Sequence, residues 1–326
     1  MRKVCLGLLL GIFGVLLNSA QAQFQEWTAD PLPAVQIKTV AFKGWVPVRT
    51  EPLRGTLILV PGKLGDGRGM AADPKWQELA TSVGFALLAC QFTDGDGSLY
   101  QFDATNDVAK SISAAVTHLG QLSTHPELEK APLALWGHSA GSNIAAKQTN
   151  FAPMRVIAMA GSKGSWGPGP ESPPGKEEIP MLFIMGGKDK PEWIAGSMPN
   201  IEAGQKRRAP WTIALQKNEA HDAAPGLPLV RAFLKASIEQ RFTAPKNATN
   251  TAAVSIFKTT PRPMGGTPKP GATMVKLERI DQKQGWLGDP ETYEIAPAAT
   301  YKGNKSKAQW LPDEATAKTW QDYLRL

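Results

Sequence analysis

The sequence predicts an α/β protein, a doubly wound and mostly parallel sheet followed by a C-terminal extension. Three observations lead there. Short apolar runs alternate with longer helical ones from about residue 37 to 241. The short runs are mostly free of polar residues, as strands buried on both faces of a parallel sheet must be. One of them passes into a helix of small residues through Gly137-His-Ser139-Ala-Gly141, a spacing suited to a sharp strand-to-helix turn.

The first segment belongs to no fold. Arg2 and Lys3 precede an apolar stretch from Leu6 to Leu17, broken only by glycines, and Ala20-Gln21-Ala22 supplies the small residues of a cleavage site before Gln23. Residues 1–22 therefore read as an export signal, to the periplasm or the medium. The apolar stretch is shorter than the roughly 18 residues of a membrane span, so stable membrane insertion is not expected. Cleavage would take the formal net charge from +7 to +5 and leave Cys90 as the single cysteine. With no internal disulfide, stability must come from a hydrophobic core, and 42% hydrophobic residues in 326 can build one. Cys90, inside the apolar run Phe85–Phe92, reads as a buried small residue. The positive charge is modest and scattered, which points away from nucleic acid as a partner.

In the expected main domain, residues 23–241, strands are read at Lys38–Phe42, Gly55–Val60, Phe85–Gln91, Ala131–Trp136, Arg155–Ala160, Pro180–Met185 and Trp211–Leu215. The chain before Gly55 has no room for a helical crossover, so it should pair antiparallel at one edge. Helices are read at Pro74–Val83, Thr105–Leu119, Ser139–Thr149, Trp193–Ala203 and Pro228–Glu239. In the second, Val108, Ile112, Ala115, Val116 and Leu119 give one apolar face. Residues 242–326 change character. The parts 243–251 and 259–271 are rich in Thr, Pro, Lys and Gly and read as linker. A strand is expected at Thr273–Ile280 and a helix at Asp313–Leu324, with Pro312 opening its first turn. Trp286, Trp310 and Trp320 suggest that this extension packs on the main domain.

The Gly-x-Ser-x-Gly segment carries the chemistry. A serine on such a turn is held in strained backbone geometry with its hydroxyl above the sheet, and side chains at Gly137 or Gly141 would collide with the neighbouring strand and helix. A nucleophilic serine needs a base, and the base needs an orienting acid. Of the four histidines, His138 lies inside the turn and suits packing or the substrate pocket, while His118 and His125 fall on and after the preceding helix, towards the outer surface. His221 remains, in the loop after the last sheet strand, where a doubly wound sheet gathers its functional loops. For the acid, the strand ending Gly186-Gly187-Lys188-Asp189 favours Asp189, with Glu192 as fallback. Asp222 is too close to His221 in sequence to face its far nitrogen easily. The backbone N–H of Ala140 should face a developing oxyanion. A second donor should follow the first parallel strand, at Pro61-Gly62-Lys63-Leu64, with Lys63 preferred. That loop lacks the Gly-Lys-Ser/Thr ending of a phosphate-binding loop. Asp94-Gly-Asp96-Gly lacks the twelfth-position glutamate of a calcium loop and reads as a turn. No metal is expected. The loop 161–178 should overhang the site, with Trp166 against the substrate.

At these residues the chain, from about Lys38 to Arg241, resembles the α/β-hydrolase superfamily. It is most similar to exported bacterial esterases of the dienelactone-hydrolase, feruloyl-esterase and polyhydroxybutyrate-depolymerase type. The resemblance implies cleavage of carboxylic esters, small or polymer-linked, through a serine acyl-enzyme and without a cofactor. The usual His-Gly before the oxyanion loop is Pro61-Gly62 here, a variant found in cutinase-like polyesterases. The extension after Phe242 lies outside the resemblance, although secreted hydrolases carry endings like Trp310-Leu-Pro-Asp-Glu314. A peptidase or other acyl transferase on the same fold, and a non-catalytic binding protein, stay open as alternatives.

Overall fold

The computed structural model describes residues 23–49, 51–94, 105–164, 178–242 and 276–326. The expected signal segment, Trp166, most of the Asp94–Asp96 turn and the expected linker lie outside the described residues. The main domain runs β1 (Gln23–Ala29), β2 (Ile37–Val46), β3 (Gly55–Val60), α1 (Pro74–Val83), β4 (Phe85–Asp94), α2 (Asp107–Leu122) and β5 (Leu133–His138). It continues through α3 (Ala140–Phe151), β6 (Val156–Ser162), β7 (Met181–Gly186), α4 (Pro191–Lys206), β8 (Trp211–Gln216) and α5 (Leu227–Phe242).

The strands form one sheet in the order β1-β2-β4-β3-β5-β6-β7-β8. From β4 to β8 all neighbours are parallel, while β1 and β2 add an antiparallel edge. The alternation of strand and helix dictates this, because each parallel pair needs a crossover and each crossover helix covers a face. Helices α2, α3 and α4 bury Ile112, Ile144 and Ile201 on one side, and α1 and α5 bury Trp76 and Phe233 on the other. Strands β3, β6 and β7 are buried along their whole length. Cys90 is buried, and burial pushes its thiol pKa well up.

Two segments depart from expectation. Strand β1 has no counterpart in the sequence pattern: its residues are exposed or half-buried, so no apolar run marks it. Trp27 anchors it, with its ring 5.6 Å from Phe42 and 5.2 Å from His118. In the extension, residues 276–280 are not a strand. Leu277 and Ile280 pack against the core from irregular backbone, which the Glu278 N–H ties to the Arg241 carbonyl at 3.0 Å.

Beyond these residues the chain builds a three-stranded antiparallel sheet, β9 (Trp286–Gly288), β10 (Ile295–Pro297) and β11 (Gln309–Leu311), in the order β10-β9-β11. It ends in α6 (Glu314–Arg325). Pro312 is not in the first turn of α6. Asp313 is the N-cap, its Oδ1 accepting from the Thr316 N–H at 2.8 Å, and Pro312 stands before it.

The extension covers an edge. β8 is the last strand of the large sheet, with a row of unpaired backbone groups that need partners. The Ile213 N–H donates to Gln309 Oε1 at 2.7 Å, and the Trp320 indole N–H donates to the Ile213 carbonyl at 3.0 Å. The Thr212 hydroxyl donates to the Trp310 carbonyl. Trp310, Leu311, Ala317, Trp320 and Tyr323 join the same hydrophobic cluster as α1 and α5.

Candidate active site

The central strand β5 hands the chain to α3 through Ser139, whose φ of 53° and ψ of −122° place a non-glycine residue in strained backbone space. Crowding explains the flanking glycines. A Cβ on Gly137 would lie 2.1 Å from the Gly141 carbonyl oxygen, and one on Gly141 would lie 2.3 Å from that of Val60. The turn is clamped from below: the Ser142 hydroxyl reaches the carbonyls of Gly137 and Ser162 at 2.8 and 2.9 Å, and the Ser139 N–H donates to Ser162 O at 2.8 Å.

Two further strand ends bring partners to this point. After β7 the chain turns so that the Asp189 N–H closes on the Gly186 carbonyl at 3.0 Å, burying the Asp189 side chain to 7% exposure. After β8, Gln216 Oε1 accepts the N–H groups of Asn218 and Glu219, and the Lys188 N–H donates to Glu219 O at 2.8 Å. That lacing joins the acid turn to the histidine loop. Asp189 Oδ2 sits 2.7 Å from His221 Nδ1, and His221 Nε2 sits 2.7 Å from Ser139 Oγ. The other Asp189 oxygen accepts the Lys190 N–H at 2.8 Å. The Asp222 carboxylate is turned to the Ala224 N–H at 2.9 Å, and Glu192 is exposed in the first turn of α4.

Such a chain is built to move a proton. With Nδ1–H donating to Asp189, Nε2 is the acceptor, and the Ser139 hydroxyl points its proton at it. The His221 side chain keeps 37% of its surface exposed, so an incoming group can reach the pair. Ala140, the first residue of α3, has its N–H at a helix start, where the ladder offers no acceptor. The Pro61–Gly65 loop comes in from the other side. A Cβ on Gly62 would lie 3.4 Å from Ser139 Cβ, so Lys63 follows a residue in contact with the serine. The Gly65 N–H closes a turn on Gly62 O at 3.0 Å, with Leu64 at φ 58° and the Lys63 side chain outside.

His138 is half-buried, with its Nε2 3.0 Å from the His221 carbonyl oxygen, so it supports the loop that carries His221. Burial holds its pKa below the ordinary 6.5. His118 and His125 are half-buried, against Trp27 and Glu127.

Three residues at the site escape sequence reasoning. Trp193 lies with its ring 4.9 Å from that of His221, and Lys190 Nζ stands 4.7 Å from the Trp193 ring centre. Its place four residues after Asp189, opening a helix, is the signal the sequence offers. Gln216 is a lone amide at a strand end and carries no motif. Lys163 directly follows an apolar strand and carries none either.

No protein-family model matches the chain, and no curated protein matches it in sequence. Solved structures do match in fold. A ferulic acid esterase is similar at 10% identity and a TM-score of 0.50 over 67% of this chain and 98% of its own. The fluorophosphonate-binding serine hydrolase F of Staphylococcus aureus matches at 13% and 0.47 over 67% and 98%. The poly(3-hydroxybutyrate) depolymerase LpqC of Bordetella parapertussis matches at 17% and 0.43 over 68% and 87%. With its sheet order and helical crossovers, the chain has the α/β-hydrolase fold, extended at its C-terminus by the small antiparallel sheet and α6.

Proposed function

We propose that the protein is an exported serine esterase that cleaves carboxylic esters through an acyl-enzyme. The observation that carries this is the unbroken chain Ser139–His221–Asp189, 2.7 Å at each link, at the strand-end edge of the sheet with Ser139 in strained geometry. Binding alone does not require all three groups in line, and a strained serine is costly unless used.

In this reading Ser139 Oγ attacks the ester carbonyl carbon while its proton passes to His221 Nε2. The Asp189 carboxylate stabilises the imidazolium and holds its tautomer. The carbonyl oxygen takes up the negative charge and accepts hydrogen bonds from the N–H groups of Ala140 and Lys63. The intermediate collapses as its bond to the alcohol oxygen breaks, and His221 returns the proton to that oxygen. Water then attacks the acyl-serine, His221 takes its proton, and the acid leaves as Ser139 is restored. The face of Trp193 beside His221 offers an apolar wall to the acyl or alcohol part. Residues 1–22 direct the chain out of the cytoplasm and are removed before Gln23.

Hydrolysis of p-nitrophenyl acetate, butyrate and octanoate by the mature protein tests the reading. Ser139→Ala should lose on the order of 10⁶ in turnover, and Asp189→Asn on the order of 10⁴. Equal rates for the native and Ser139→Ala proteins would end the proposal. If Asp189→Asn were silent while Glu192→Gln were crippling, the acid would be misassigned.

A further inference from the structure

Ester cleavage by the triad leaves the buried cation Lys163 unused. Lys163 directly follows β6 at φ 56°, its N–H bonded to the Ile184 carbonyl at 2.8 Å, and its side chain is fully buried. Its Nζ lies 3.6 Å from Glu219 Oε2, in the loop that carries His221, and 3.3 Å from the hydroxyl oxygen of Tyr323 on α6. It lies close to Gly186, which the His221 loop also crowds. A Cβ placed on Gly186, where the acid turn begins, would lie 2.8 Å from Nζ, 2.6 Å from Glu219 O and 2.4 Å from Ala220 O.

Burial pulls the Lys163 pKa down, and the charges of Glu219, Asp189 and Asp222 pull it back. Burial first, then the charges of His221 and Lys163, hold the pKa of His138 down. Burial and the Glu219 charge push Tyr323 up, which keeps its hydroxyl protonated. An ion pair taken out of water is often no better for stability than well-packed apolar residues of the same volume. Stability alone therefore gives little reason for a lysine here, between the turn that leads to Asp189 and the loop that carries His221.

We propose that Lys163 is a positioning residue: with Glu219 and Tyr323 it fixes loop 217–222, and so His221, between Ser139 and Asp189, making the terminal helix α6 part of the working site. The proposal rests on reading those three residues as an acyl-transfer triad.

Lys163→Met and Tyr323→Phe should be compared with the native protein in three ways. These are ester kcat and KM, the rate at which a fluorophosphonate labels Ser139, and the NMR signal of the His221 Nδ1–H proton. That signal is identified by its loss in His221→Gln. Lys163→Met should lower kcat and the labelling rate by about 10–100-fold through a displaced base. KM should stay within about twofold, since no substrate contact is lost. The His221 Nδ1–H signal should shift and broaden as the ring loses its fixed place beside Asp189. Tyr323→Phe should move each quantity the same way by less. Unchanged labelling, kcat and His221 Nδ1–H signal in folded Lys163→Met would overturn the proposal. If that variant does not fold, the same null result in Tyr323→Phe does so. Should the native protein be labelled yet cleave no ester, the esterase reading fails alone, and labelling and the His221 Nδ1–H signal still decide the network.

Discussion

His138 shows how one residue of the turn serves the fold and the site together. Its Nε2–H holds the carbonyl of His221, and neutral imidazole suffices for that bond. Burial disfavours its cation most, His221 and Lys163 add repulsion, and the His221 carbonyl and Asp222 only partly offset this. The folded-state pKa is thus lower than the 6.5 of an ordinary histidine, so the unfolded chain binds more protons between the two values. Stability from this group is whole above 6.5. It is lost as the pH falls from 6.5 to the folded pKa, and below that the loss levels off. Thermal melts of native protein and His138→Gln from pH 8 to 5 should therefore converge as the solution turns acid, because surface groups contribute equally to both. Parallel curves would mean that His138 takes up its proton as readily folded as unfolded.

Among the elements, β8 has the hardest position, since it delivers His221 and also ends the sheet. Gln309 resolves part of this: its buried Oε1 accepts from the Ile213 N–H and from Gln205 Nε2 at 2.7 and 2.9 Å. Gln309→Ala would leave a buried backbone donor unpaired and should cost about 1–3 kcal/mol in denaturant melts. A change within 0.5 kcal/mol would show that water replaces the amide. The sequence discloses elements of this kind unevenly. β3 and α1 have the bounds their apolar runs and flanking Gly and Pro predict, and the juxtaposition of Ser139, Asp189 and His221 is legible because each follows soon after a strand of the sheet. β5 runs to His138 because its pairing with β6 continues to Ser162, which periodicity does not report. β9, β10 and β11 are three residues each, too short for alternation to register, and they are fixed by contacts far away in sequence. Trp193, Gln216 and Lys163 act through neighbours that only the folded chain assembles.

At the scale of the whole molecule, the question is whether residues 276–326 are a separate module or a missing part of the hydrolase fold. A module would carry its own core and meet the main domain across a polar interface. Here Trp310, Leu311, Ala317, Trp320 and Tyr323 belong to the cluster that contains Trp76, Phe233 and Leu234. Trp320 is fully buried with its indole N–H on β8, and the Gln240 side chain donates to Pro312 O at 2.6 Å. Removing the extension would uncover both an apolar face and the β8 edge, the two features that drive aggregation. A specific protease site engineered between residues 243 and 275 separates the readings without deleting anything. If the extension is integral, the cut protein should elute as one particle, melt in one transition and keep its ester turnover, while a chain ending at Phe242 should aggregate. Separation of the fragments on a sizing column, with activity staying in the larger one, would make the extension a module. It would also detach Tyr323 from the site and leave loop 217–222 to Lys163, His138 and the lacing of Gln216, Lys188 and Glu219.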